Sequence, residues 1–306
     1  MRLAAASLPT VLIVATLMLL TVMGLFSIWD RNNNTIGYEL YRTQQLLDLE
    51  SAVTIYCIDT TVKTDVKREI EPYGLYEKIT VTTANGNFSK QAIVGAPQDS
   101  TVLYVTDNGR PLSLTGATNI EGVTYLPKFG VAYNQMGSHF FTGKKLEQIR
   151  ISDDKLPEII EIDTIREGKI IVESGFRGER QIFATDTVII EENVIMKYPS
   201  GIYVKNGYVE IRDSSQVNGY VIVTGRYKQF PTAKVRGTLY VDGIAQLQGI
   251  ISGKIYAKEC TYYSPEGIYT NTIYNLTAIE NHEIASPILI KNVQHHERRI
   301  IKWLYD

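Results

Sequence analysis

From Val11 to Trp29 the chain is almost wholly apolar, and no charged residue stands between Arg2 and Asp30. At about 1.5 Å per helical residue, such a run is long enough to cross the roughly 30 Å hydrocarbon core of a bilayer. It exceeds the 7–15 residues of a cleaved signal core, and Trp29 stands where a small-x-small cleavage site would follow. The pattern predicts an uncleaved anchor over residues 1–30, with Val11, Leu12, Leu19, Leu20, Leu25, Phe26 and Trp29 toward lipid. Arg2 on one side and Arg31 and Arg42 on the other nearly balance on the positive-inside rule. The thin flanks favour a single-pass protein of the cytoplasmic membrane whose head is periplasmic or extracellular.

Beyond Asp30 the period stays helical but becomes two-sided. Leu46, Leu49, Val53 and Tyr56/Cys57 recur at i, i+3, i+7 and i+10/11, with Gln44, Gln45, Asp48 and Glu50 between them. Residues 31–59 are therefore expected to form an amphipathic helix whose assembly face is Leu46, Leu49 and Val53. Asn32-Asn33-Asn34 and Gly37 are expected to bend or fray its junction with the anchor.

From about Thr60 the period shortens to two. Tyr76–Thr83, an Asn85-Gly86 turn and Phe88–Val94 read as a hairpin. Val102–Thr106 and the glycine-cornered stretch Leu112–Pro127 repeat the theme, while 131–157 reads as a polar inserted loop with a short helix. Residues 60–158 are thus expected to form a β-rich subdomain. After Ile159, apolar runs of three to six residues, parted by Gly, Asn or Asp, succeed one another to Ala278. Strands so short bury an inward face only by stacking, as in a solenoid; a sandwich or barrel would give a similar pattern. The expected fold is mainly β: an N-terminal helix, then a head ending in a right-handed parallel β-solenoid over 159–306 with a C-terminal cap. Ile250 and Ile255 are expected to point inward.

Composition changes this picture little. A net charge of −2 gives no basic face for nucleic acid. Cys57 and Cys260 make no metal-ligand spacing, and their pairing does not follow from sequence. Twenty tyrosines against eight phenylalanines suit half-buried strands with a packed ring and a wet hydroxyl.

Two resemblances rest on particular residues. The stretch Val235–Ala257, with its Gly-Thr-Leu-Tyr-Val and Gly-Ile-Ile-Ser-Gly-Lys-Ile-Tyr-Ala steps, resembles the rungs of bactofilins, polymer-forming β-solenoid scaffolds. Ser7 to Cys57 resembles the N-terminal region of type IV minor pilins and pseudopilins: a short leader, a long apolar helix, then an amphipathic half with Glu50-Ser51-Ala52. It departs from major pilins in lacking a Gly-Phe junction and in having Val11 where their helix carries a Glu. The resemblance implies a membrane-anchored component with pilus-like or envelope assembly proteins, and copies of itself, as partners.

Catalytic chemistry finds little footing. Asp186, Glu191, Glu192, Glu210, Asp213 and Asp242 are scattered singly, except for adjacent Glu191 and Glu192, which would point to opposite faces of a strand. None of His139, His282, His295 and His296 falls within 168–278, and no nucleophile or metalloprotease motif occurs. The chain is expected to be a non-enzymatic envelope protein with no cofactor. A membrane-tethered glycan-active β-helix enzyme and a bactofilin-like scaffold are the alternatives. The apolar, basic Glu297–Tyr305 is expected to cover an open solenoid end.

Overall fold

The computed structural model describes residues 7–62, 65–97, 100–159, 168–288 and 297–304. It has three layers: a helix, a four-stranded antiparallel sheet and a parallel β-solenoid of about eight turns.

The helix runs unbroken from Ser7 to Ile58. The expected break at the Asn triplet does not occur. There Asn34 lies 3.5 Å from the Asp30 carboxylate and the Thr35 hydroxyl donates to the Arg31 carbonyl at 2.9 Å, so these polar side chains bond within the helix. Its last three turns put Leu49, Val53, Tyr56 and Cys57 on Ile79, Val81, Ala92 and Val94 of the sheet. The sheet is ordered Lys67–Tyr73, Tyr76–Thr82, Ser89–Gly95 and Arg299–Leu304. The terminal segment thus joins the sheet and does not cap the solenoid, because its apolar residues serve two layers: Ile300 and Trp303 pack toward the helix, Ile301 and Leu304 toward the solenoid.

Each solenoid turn has three sides. Arg177–Gly178, Gln181–Ala184 and Thr187–Ile190 pair in parallel with three successive parts of the long strand Ile195–Ile211. The next rungs, Gln216–Gln229, Lys234–Gln246 and Gly249–Ser264, follow in register. On the second side Ile202, Val221, Leu239, Ile255 and Leu103 form one inward row, each fully buried. Corners are set by glycine. Gly237 has φ near 129°, and a Cβ there would lie 1.9 Å from the Gly219 carbonyl oxygen of the rung before. Gly243 stands in the same relation to Gly225 at the next corner.

The order of rungs differs from the order of the chain. Thr101–Val105 pairs with the rung Gly249–Ser264, and Val123–Leu126 and Gln148–Ile151 stack beyond it. Residues 101–151 are therefore the last turns of the solenoid, and the expected boundary near 158 is not where the sheet changes. The stretch 131–157 contains the strands Val131–Tyr133 and Gln148–Ile151 and no helix; most of its polar residues are exposed, Ser152 being buried. From the far end the chain turns back as a strap over 152–159, then re-enters at the opposite end with Ile170–Val172.

The strap explains the tyrosines. Phe183, Tyr203, Ile222, Tyr240, Tyr256, Tyr104 and Tyr125 form one outward row across seven rungs. Tyr104 accepts the Asp153 N–H at 3.0 Å and donates to the Lys155 carbonyl at 3.1 Å, while Tyr240 donates to the Pro157 carbonyl at 2.8 Å. The Tyr104 and Tyr240 rings are buried and their hydroxyls hold strap backbone, which satisfies polar groups that would otherwise be buried alone. A second aromatic contact fixes the sheet: Tyr76 meets Tyr220 edge-on at 5.4 Å, and the Tyr220 hydroxyl accepts the Leu75 N–H.

Ile255 is core as expected, but Ile250 is 36% exposed and Ile251 fills the inward position. Ala245, Leu247, Ile251 and Ile255 keep one alternation of buried positions through Gly249, and Ile250 falls on its outward side. At the far end, Ile149 and Ile151 continue the inward rows of Thr124 and Leu126 yet are 47% and 67% exposed, because among the described residues no rung follows.

Candidate functional site

The helix carries two distinct surfaces. Its apolar part, including Val11, Leu12, Leu19, Leu20, Leu25, Phe26 and Trp29, is exposed throughout. By length and composition this helix is able to cross a membrane. Beyond it, the expected assembly face is already occupied. Leu49 and Val53 are fully buried against the chain's own sheet and Leu46 is half-buried, so this face docks the head. Glu50 pairs with Lys90, whose ammonium lies over the Trp303 ring, and Tyr56 shares Glu77 with Arg298.

The other side of the helix is free. Ile36, Leu40, Leu47 and Ile58 are 49%, 67%, 50% and 67% exposed. Their spacings of four, seven and eleven residues are close to whole numbers of turns, so they form one stripe. Counting back seven and eleven residues from Ile36 gives Trp29 and Leu25, so the stripe runs on into the apolar segment. Sequence pattern favoured the denser Leu46 face, and only knowledge of where the sheet sits distinguishes the two.

The acids expected to matter least are tied into local structure. Glu191 and Glu210 accept Arg212 at 2.6 and 2.8 Å, Asp213 accepts the Thr232 N–H and hydroxyl at 3.0 and 2.6 Å, and Asp242 accepts Lys258 at 2.9 Å. Asp186 accepts its neighbour Thr187, and Glu192 is exposed in a turn. Burial works to raise the Glu210 carboxyl, but hydrogen bonds from Tyr208 and Arg212, with the Lys228 charge, bring it below its ordinary value. His282 pairs with Glu280, His139 packs on Tyr274, and His295 and His296 lie outside the described residues. Cys57 and Cys260 are buried, unpaired thiols in different layers. Among the described residues no group of three or more His, Cys, Asp or Glu is placed to hold a metal ion.

No family model, curated protein or solved structure matches this chain. What it can do must therefore be read from its surfaces. One groove of about 530 Å³ runs between the strap and the solenoid corner. Asp154, Glu158 and Asp242 line it together with Lys155, Lys205 and Lys258, so acids and bases are balanced there.

Proposed function

We propose that the protein is a membrane-anchored assembly component, in which the helix both crosses the membrane and packs against neighbouring helices while the solenoid head is displayed outside. The observation that carries this is the exposed stripe Ile36–Leu40–Leu47–Ile58 on a helix whose opposite side is sealed by its own sheet. A soluble helix that has buried one apolar face has no need of a second, and side chains of this size left in water favour association. A long apolar helix with an amphipathic second half is also what the minor-pilin resemblance of Ser7 to Cys57 implies. Copies of this chain, or pilin-like envelope proteins, are the partners such a stripe fits.

The test is association in membranes. With cysteine introduced at Thr43, on the free side, oxidative cross-linking should capture oligomers of the full chain. Replacing Leu40, Leu47 and Ile58 with Gln should abolish them while the head melts as before. Cross-linking that survives the triple replacement, or none in the parent, would overturn the reading.

A second reading has the strap groove in its favour. A glycan-active enzyme would use Asp154, Glu158 or Asp242 as acid and base. Single replacement of each by its amide, with the envelope phenotype of a deletion strain scored for complementation, separates the two: loss of function with an intact fold and intact oligomers supports the enzyme.

A further inference from the structure

The rung Gly249–Ser264 does not stop at its corner. It runs on past Cys260 into a hairpin, pairing Thr261–Ser264 with Gly267–Thr270 before the chain rejoins the solenoid at Thr272. This hairpin adds no rung and leaves Tyr263 42% and Ile268 66% exposed. What it does form is the wall of a cleft of about 380 Å³ against the third side of the solenoid.

The floor of that cleft is a row of three rungs in register, Tyr208, Arg226 and Ile244, flanked by Lys228 and Gln246. No carboxylate lines it. Arg226 has no hydrogen bond or ion pair among the described residues. Its neighbours are otherwise engaged: the Tyr208 hydroxyl donates to Glu210 at 2.6 Å, and the Lys228 ammonium lies 4.4 Å from the centre of the Phe230 ring. Glu210, two residues along the strand from Tyr208, is held by Tyr208 and Arg212, and Glu259, which continues the row beyond Ile244, is held by Thr261.

A guanidinium with a free fork beside the Tyr208 ring, in a cleft walled by Tyr263, selects a planar anion on a body with an apolar face. The backbone of the floor is paired on both sides in the parallel ladder, so it offers no strand edge to a peptide main chain. The volume suits one ring. We propose that this cleft binds a carboxylate-bearing sugar residue of an acidic saccharide, its carboxylate on Arg226, its C–H face on Tyr208 and Tyr263, and its hydroxyls toward Lys228 and Gln246. This site is separate from the helix stripe and stands whether or not the helix assembles.

Calorimetric titration of the detergent-solubilised full chain with tri-galacturonate and tri-glucuronate tests it, with neutral tri-galactose and a short peptide bearing a free C-terminal carboxylate as comparisons. At least one uronate should bind, and affinity should fall with added salt. Arg226→Gln and Tyr263→Ala should each weaken it about tenfold or more without changing the melting temperature, whereas Arg236→Gln, on another side, should leave it unchanged. Three outcomes overturn the proposal: no binding of either uronate, binding indifferent to Arg226→Gln, or preference for the peptide over both uronates.

Discussion

Gly237 shows how little room a single residue has in this fold. Its φ near 129° is costly for any residue with a side chain, and an added methyl would collide with backbone that is itself fixed in the ladder. Gly237→Ala should therefore destabilise the head by about 2–4 kcal/mol, combining the conformational and overpacking costs. Denaturant unfolding followed by circular dichroism measures it, and a loss under about 0.5 kcal/mol would show that the corner relaxes. Buried ionisable groups give a second residue-scale expectation. Burial, and then the neighbouring Glu259 charge, push the Cys260 thiol up to about 12, and burial pushes Tyr198 up to about 12. Their folded values lie above the ordinary ones of 9.0 and 10.0, so the stability they contribute is complete below about pH 9. It is lost as pH rises from there through 12. Melting temperature should be flat from pH 6 to about 8.5 and fall above 9, and thiol reagents should leave Cys260 unmodified until the head unfolds.

Among the elements, the helix and its sheet act as one unit. Leu49 and Val53 fill the centre of that interface, and truncating either to Ala should cost about 2–4 kcal/mol in the cooperative unfolding of the helix–sheet layer. Hydrogen exchange should show faster opening of Tyr76–Thr82 and Ser89–Gly95 in both variants; protection unchanged from the parent would mean the helix docks elsewhere. The elements themselves were largely legible in the sequence. The apolar helix, the Asn85-Gly86 hairpin and the short β runs follow from period and turn residues, and the glycine corners mark the rungs. What the sequence hides is which rung neighbours which. Leu103-Tyr104-Val105 carries the same in-out-in pattern as Leu239-Tyr240-Val241, and nothing local says that the first belongs beyond Gly249–Ser264. For the same reason the covered tyrosine row read as mere strand composition, since the strap that covers it is irregular and polar. The free helix stripe was missed because a one-dimensional pattern shows both faces and not which one the sheet takes. The Arg226 cleft was missed because its wall is a hairpin inserted into an otherwise continuous run.

At the scale of the whole molecule, the out-of-order stacking governs how the protein can come into being. A solenoid whose rungs follow the chain can grow one turn at a time as it leaves the ribosome or a translocation channel. Here the turns made from residues 101–151 emerge first but rest on the rung Gly249–Ser264, which appears some hundred residues later. The last sheet strand, Arg299–Leu304, comes some thirty-five residues later still. Through most of synthesis the early rungs have an unpaired edge and an uncovered apolar side, the condition in which nascent β-structure aggregates. A chain ended after Gln248 should therefore lose more than its missing residues. It should recover no folded core from 101–151 and be cleared by proteases or pass into inclusion bodies, which pulse-chase with limited proteolysis would show. Recovery of a protease-resistant 101–151 fragment would mean that those turns stand alone. The expectation is a protein with no useful partial product: it is finished all at once, and any holding factor must keep it open until Arg299–Leu304 has arrived.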